Sequence, residues 1–196
     1  MKTLLIIDAQ NDFMPGGSLE VENGDAIVPE INQRLANYDL VIATQDWHPG
    51  NHMSFASNHK DEKAFNTKTI DGYEQTLWPD HCVQGTTGAE FHCDLQLHDV
   101  EAIFRKGTDS NIDSYSAFYD NHHDKSTGLT GYLKEKDVKT ITVCGLAADI
   151  CVYFTIKDAL NEGFQVEVIE KATQALNHDT YSEQKEELKS KGVRFI

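Results

Sequence analysis

Apolar residues gather into six short runs along the chain: 3–8 (TLLIID), 40–46 (LVIATQD), 101–106 (EAIFRK), 139–145 (KTITVCG), 165–170 (QVEVIE) and 193–196 (VRFI). Several are apolar on consecutive residues instead of every second one, which predicts strands covered on both faces. Between some of them the spacing becomes helical. Ile27, Val28, Ile31 and Leu35 share a face over 25–38. Val152, Ile156, Ala159 and Leu160 share another over 149–162, with Asp149 a candidate N-cap and Gly163 a natural stop. A third helix is predicted over 179–191, opened by the capping-box spacing Thr180-x-x-Glu183 and closed at Gly192. Elements alternating in this way predict an α/β fold, a doubly wound, mostly parallel six-stranded sheet with helices on both faces.

The stretch 47–99 interrupts the alternation. It is rich in Gly, His, Asn and Asp with weak periodicity, and a long irregular insertion in a compact domain is usually functional. No repeat or low-complexity linker divides the 196 residues, so one domain over 1–196 is expected, with 47–99 inserted as a loop region. A net charge of -15 argues against nucleic acid or an anionic membrane as partner, since both need Lys/Arg patches. The apolar run in MKTLLIIDAQ is too short for a signal peptide, and no later run approaches a membrane span. The four cysteines have no metal-finger spacing and read as reduced thiols of a cytoplasmic protein. An acidic surface with unplaced apolar residues fits either a monomer or a symmetric homo-oligomer.

Candidate chemistry collects where the strands end. Asp8 ends the first, Asp46 the second and Lys106 the third, and Cys151 lies a short loop beyond the fourth. Open α/β sheets bind ligands at the carboxyl ends of their strands, so these four groups converge on one edge. Asp46 and His48, two residues apart, project the same way, and His81 from a distant loop completes a ligand set with open positions. Imidazole and carboxylate together suit one divalent metal ion: zinc, iron or manganese. His92 is a further candidate, and His52 reads as a fourth ligand or as a neighbour of the ligands or substrate. His59, His98, His122, His123 and His178 read as polar decoration. Cys151 falls in the first turn of the predicted helix 149–162, whose free amides favour a thiolate and can receive an oxyanion. Asp8 is its candidate base and Lys106 the electrostatic partner of that base, whereas Cys82, Cys93 and Cys144 read as small buried hydrophobes. Phe13 and Trp78 are candidate walls for a flat substrate, and Tyr115 a lesser one.

Five blocks carry a resemblance: IIDAQNDFMPGGSL (6–19), TQDWHPGNHMSF (44–55), LWPDHCVQGTTGAEFH (77–92), FRKGTDSNIDSYSAF (104–118) and CGLAADICV (144–152). Together, and in this order, they resemble the nicotinamidases of the isochorismatase-like cysteine hydrolase family, along the whole chain. The resemblance implies a Rossmann-like topology and hydrolysis of nicotinamide to nicotinate and ammonia in NAD salvage. It puts the catalytic Asp, Lys and Cys on Asp8, Lys106 and Cys151, the metal ligands on Asp46, His48 and His81, and the oxyanion amides on Ala147 and Cys151. In similar proteins the metal, zinc first among the candidates, holds the pyridine nitrogen of the substrate. A cis peptide between Leu146 and Ala147 is also implied. One departure is Ala148, where many relatives have threonine, so a role for that hydroxyl is not carried over. Isochorismatases lack this cysteine and metal set. Three other readings remain: another hydrolase of this scaffold acting on a different small amide or an isochorismate-like ether, a metallohydrolase with an inert Cys151, and a non-enzymatic metal-binding protein.

Overall fold

Each of the six apolar runs forms a strand of one sheet. The computed structural model describes residues 1–196. The strands of the main sheet are β1 (Thr3–Ile7), β2 (Leu40–Asp46), β5 (Val100–Lys106), β6 (Thr140–Gly145), β7 (Gln165–Thr173) and β8 (Arg194–Phe195). The hairpin β3 (Thr67–Ile70) and β4 (Tyr73–Thr76) forms a separate two-stranded sheet inside the 47–99 region. The main sheet runs β5-β2-β1-β6-β7-β8, and every neighbouring pair is parallel. Counted within that sheet, the order is that of the dinucleotide-binding doubly wound folds.

The layering follows from strand alternation. Leu4 and Ile6 of β1 pack with Ile27, Val28 and Ile31 of α1 (Ile27–Asn32) on one face. Leu5 and Ile7 pack on the other face, with α2 (Leu129–Glu135), α3 (Tyr153–Asn161) and Leu188 of α4 (His178–Ser190). All five residues of β1 are buried, and each of its four apolar side chains contributes roughly 1.5–3 kcal/mol. Strand β5 departs from the expectation of two covered faces: as an edge strand it alternates, with Glu101, Ile103 and Arg105 exposed.

The helices differ in detail from the expected spans. The 25–38 segment keeps its buried face, but α1 is short. Beyond it the hydrogen bonds tighten to Arg34 N–Ile31 O and Asn37 N–Arg34 O, giving 3₁₀ turns. α4 is capped by Asn177, whose side chain accepts from Thr180 N at 3.0 Å, so Thr180 is the donor to the cap and not the cap. Residues 148–152 form a π-helical turn ahead of α3, closed by Val152 N donating to Ala147 O.

The chain moves outward from β1 through β2 to β5, and then resumes on the other side at β6. This change of direction opens a crevice between the ends of β1 and β6. Gly145 lets the two strands end side by side. At φ +112° a Cβ there would lie 2.0 Å from the Ile7 carbonyl, which accepts from Leu146 N at 2.9 Å. No helix is long and apolar enough to cross a membrane.

Candidate active site

Four strand ends bring their side chains to this crevice. Asp8 follows β1 in a left-handed conformation (φ 45°), an uncommon state for a non-glycine residue. Its Oδ1 accepts from Thr44 Oγ1 at 2.7 Å, and its Oδ2 lies 2.9 Å from Lys106 Nζ. That oxygen has no aligned hydrogen-bond donor, so it keeps a lone pair for an incoming proton. Lys106, at the end of β5, donates to Asp46 Oδ1 (2.8 Å) and to the Ser114 carbonyl (3.1 Å), and stands 3.4 Å from Cys151 Sγ. Oxygens of Asp8 and Asp46 and the Cys151 sulfur lie within 4.8 Å of one another. Asp8, Lys106 and Cys151 are thus brought together as expected.

Burial governs the protonation of this group. It pushes the Cys151 thiol well above its ordinary value; Lys106 opposes this, while Asp8 and Asp46 reinforce it. Desolvation thus outweighs the amides of the following turn, and the adjacent base expected for this thiol is needed. Burial also lifts Asp8 above the usual carboxylate range despite Lys106, which makes it a stronger base than an exposed aspartate. Lys106 itself is held well above its ordinary value: burial lowers it, but Asp46 and Asp8 more than compensate. The pocket thus sets a thiol beside a carboxylate base and an ammonium.

Asp46, His48 and His81 offer ligand atoms within 4.8 Å of one another, and all three are buried. His48 Nδ1 faces the Gly107 carbonyl at 2.9 Å and His81 Nδ1 faces the Pro79 carbonyl at 2.8 Å. Carbonyls only accept, so each Nδ1 carries a proton and each Nε2 turns to Asp46 Oδ2, at 3.1 and 3.6 Å. Burial depresses the His48 pKa, but Asp46 more than offsets this and the ring titrates above its ordinary value. Asp46 behaves in the opposite sense: burial raises it, yet His48 and Lys106 hold it well below the usual range. A carboxylate and two imidazole nitrogens aimed at one point suit a divalent metal ion. His52 adds a buried Nε2 without a hydrogen-bond partner, on a ring kept neutral because burial and His48 push its pKa down to about 4. A buried imidazole nitrogen without a partner beside this cluster suits a metal centre. His52 falls with His48 and Asp113 in an overlapping cluster, whereas His92 lies apart with Cys93 and Asp94.

The cavity beside Cys151 is mostly apolar, and Phe13, Trp78, Tyr115, Ala147 and Ile150 line it. Phe13 also approaches the His81 ring (5.6 Å between centroids), and Trp78 Nε1 donates to Tyr115 Oη at 3.3 Å. Both expected aromatic walls thus face the space next to the thiol. The peptide Leu146–Ala147 is cis, and the Ala147 N–H donates no hydrogen bond within the protein. Ala148 is buried, its N–H donating to the Gln174 carbonyl at 2.8 Å. Asp149 does not cap the helix. Its carboxylate accepts from Leu176 N and Asn177 N at 2.8 and 2.9 Å, and so ties the turn carrying Cys151 to the start of α4. Cys82 and Cys144 are buried as expected, but Cys93 is exposed because it sits in a surface turn outside both apolar clusters.

Several site residues carried no local signal. Gln10 clamps Asp46 with both ends of its amide: Nε2 donates to the Asp46 carbonyl and Oε1 accepts from Asp46 N, each at 2.8 Å. Asp12 Oδ2 accepts from Cys82 N at 2.7 Å and fixes the loop that presents His81. Thr44 orients Asp8, and Asp113 accepts from Gln75 Nε2 at 3.0 Å at the cavity wall. The alternation of β2 did place Thr44 and Asp46 on one face.

The isochorismatase domain family matches residues 2–196. A nicotinamidase of Acinetobacter baylyi is 48% identical over 174 residues, covering 89% of this chain and 81% of that protein. The solved nicotinamidase/pyrazinamidase of Acinetobacter baumanii superposes with a TM-score of 0.96 at 45% identity, over 100% of this chain and 95% of that one. The pyrazinamidase of Pyrococcus horikoshii, solved in complex with zinc, superposes at 0.83 with 35% identity, covering 100% and 98%. Fold, strand-end chemistry and whole-length similarity agree, and the chain belongs to the isochorismatase family.

Proposed function

We propose that the chain hydrolyses nicotinamide to nicotinate and ammonia through a cysteine thioester, as a step of NAD salvage. The observation that carries this reading is the convergence of Asp8, Lys106 and Cys151 beside the Asp46–His48–His81 cluster, in one apolar cavity. Relatives at up to 48% identity bear the name nicotinamidase, which supports the same substrate.

In this reading the reaction begins with a proton transfer, because burial pushes the Cys151 thiol up and Asp8 lies beside it. Asp8 takes the proton of Cys151 as the sulfur adds to the carboxamide carbon. The developing oxyanion is received by the N–H groups of Ala147 and Cys151. Asp8 then passes its proton to the amide nitrogen, ammonia leaves, and an acyl-thioester remains on Cys151. Water adds to that thioester while Asp8 takes one of its protons. Collapse expels the Cys151 sulfur, which recovers the proton from Asp8, and the acid is released and ionises. Lys106 keeps Asp8 in place throughout and balances its charge. Asp46, His48 and His81 would hold a divalent ion, zinc in this reading, and that ion would anchor the pyridine nitrogen of the substrate. The rings of Phe13 and Trp78 bracket the flat substrate. Trp78→Ala is expected to raise KM about tenfold or more with a smaller change in kcat, because losing one aromatic wall removes roughly 1.5–3 kcal/mol of contact. An unchanged KM would remove Trp78 from the binding surface.

The test is ammonia release from nicotinamide by metal-replete protein, with and without prior alkylation of its thiols. Rapid release that alkylation stops supports the thioester route. Release that survives complete alkylation of Cys151 but is lost on chelation would make the protein a metallohydrolase.

A further inference from the structure

The buried charges of this site do not sum to zero. Asp8, Asp46 and Asp113 are exposed by at most 3%, and Lys106 by 2%. With the imidazoles neutral, as metal ligation needs them, three buried carboxylates stand against one ammonium, Lys106, which pairs with Asp8 and Asp46, and the formal charge is two minus. Asp113 has no cationic side chain as partner; it accepts only from Gln75 Nε2 at 3.0 Å and from Ser114 N at 2.8 Å. Two neutral donors are thin compensation for a buried carboxylate, because desolvating an ion costs several kcal/mol unless a charge answers it. Two buried aspartates remote from the site are answered more fully: Asp158 meets His123, and the carboxylate of Asp120 accepts three backbone N–H groups.

A single divalent cation at the Asp46 cluster would bring the set to neutrality, but only if Asp113 is counted. Asp113 reaches that cluster from the side. Its ligand atom lies within 4.8 Å of those of His48 and His52, and His48 is the member shared with Asp46 and His81. The two clusters meet at one imidazole instead of forming one coordination shell. Asp113 would therefore act on such an ion from outside its ligand set, across His48 and His52. Gln75, from the hairpin β3–β4, holds it there.

We propose that Asp113 is the charge-balancing residue of the metal centre: an outer carboxylate, positioned by Gln75, that makes the buried site neutral with a divalent ion and sets its affinity. The proposal rests on the reading above that Asp46, His48 and His81 hold a divalent metal. It concerns an acceptor that ligand motifs do not mark, since Asp113 is not itself among the ligands.

The experiment compares the full-length chain with Asp113→Asn and Gln75→Leu, using zinc as the probe. Affinity is read by competition with a chromogenic chelator, and thermal stability is read with and without the metal. Asp113→Asn keeps the shape and can still accept from Ser114 N, but removes the charge. It is expected to lower zinc affinity 10–100-fold. It should also melt higher than wild type when metal-free, by about 3 °C or more, and gain less from added zinc. A carboxylate with only a packing role would not invert the metal-free and metal-bound rankings in this way. Gln75→Leu keeps the charge and is expected to stay within about threefold of wild-type affinity. Equal affinity for wild type and Asp113→Asn overturns the proposal while leaving the metal centre intact. Equal losses in both variants also overturn it, in favour of a purely mechanical role for the wall. A wild-type chain that binds no zinc at all would overturn the metal-centre reading itself.

Discussion

Cys151→Ala is expected to lower ammonia release from nicotinamide by about four to six orders of magnitude, while fold, metal content and nicotinamide binding persist. The reason lies in how little else the cavity offers. Its lining is mostly apolar, and the sulfur stands 3.4 Å from Lys106 Nζ and next to the Asp8 carboxylate. Removing the sulfur leaves a base with no nucleophile to activate except water, and water then lacks the intramolecular positioning the thiol had. Cys151→Ser should fare little better, since a hydroxyl is a far weaker acid than a thiol and Asp8 would have to do correspondingly more. The measurement is single-turnover ammonia release, with circular dichroism and metal analysis as controls. Near-normal turnover by the alanine variant would end the thioester mechanism.

The second large effect concerns stability as well as rate. Lys106→Met keeps much of the side-chain volume but strips Asp8 and Asp46 of their only shared cation, at 2.9 and 2.8 Å. Breaking a buried ion pair from one side costs on the order of 3–5 kcal/mol, because the remaining charges stay desolvated. Metal-free Lys106→Met is therefore expected to lose about that much in urea unfolding, and the metal-loaded form to lose less. Turnover should fall at least a thousandfold even where the protein is folded, since Asp8 loses its orienting partner. Lys106→Arg is not expected to rescue it: a planar fork does not fit a side-chain cavity with 0% exposure that is shaped for a compact ammonium. An unfolding free energy unchanged by the methionine would mean that water already screens this cluster.

Which features were legible in the sequence follows from the range of the interactions that make them. The six strands of the main sheet were readable because double-sided burial forces consecutive apolar residues. Asp8, Asp46 and Lys106 were readable because a polar residue ending such a run is conspicuous. The hairpin β3–β4 has one local mark, the two-residue turn Asp71-Gly72, in which both residues take positive φ (51° and 89°). Its strands are polar and largely exposed, so no apolar alternation announced them. Helix α2 carries little periodic signal for a related reason: only Leu129 and Leu133 are buried along it, and Gly131 sits between them. Asp149 looked like a cap because of its type and place, yet its partners lie 27 and 28 residues away. Gln10, Thr44, Asp12 and Asp113 act through partners 36 to 70 residues distant, and one sequence holds no trace of such pairings.

The position of β1 between β2 and β6 has a consequence for the life of the chain before it is finished. Residues up to 139 already contain the base, the ammonium and every candidate metal ligand, but not the nucleophile. β6, which carries Cys151 toward them, docks on β1 through contacts such as Cys144 Sγ with the Leu5 carbonyl, 139 residues apart. Pairings of that span close late, after the local elements have formed. The thiol therefore has no base beside it until β6 docks on β1. The nucleophile thus joins the other groups through one pairing, that of β6 with β1.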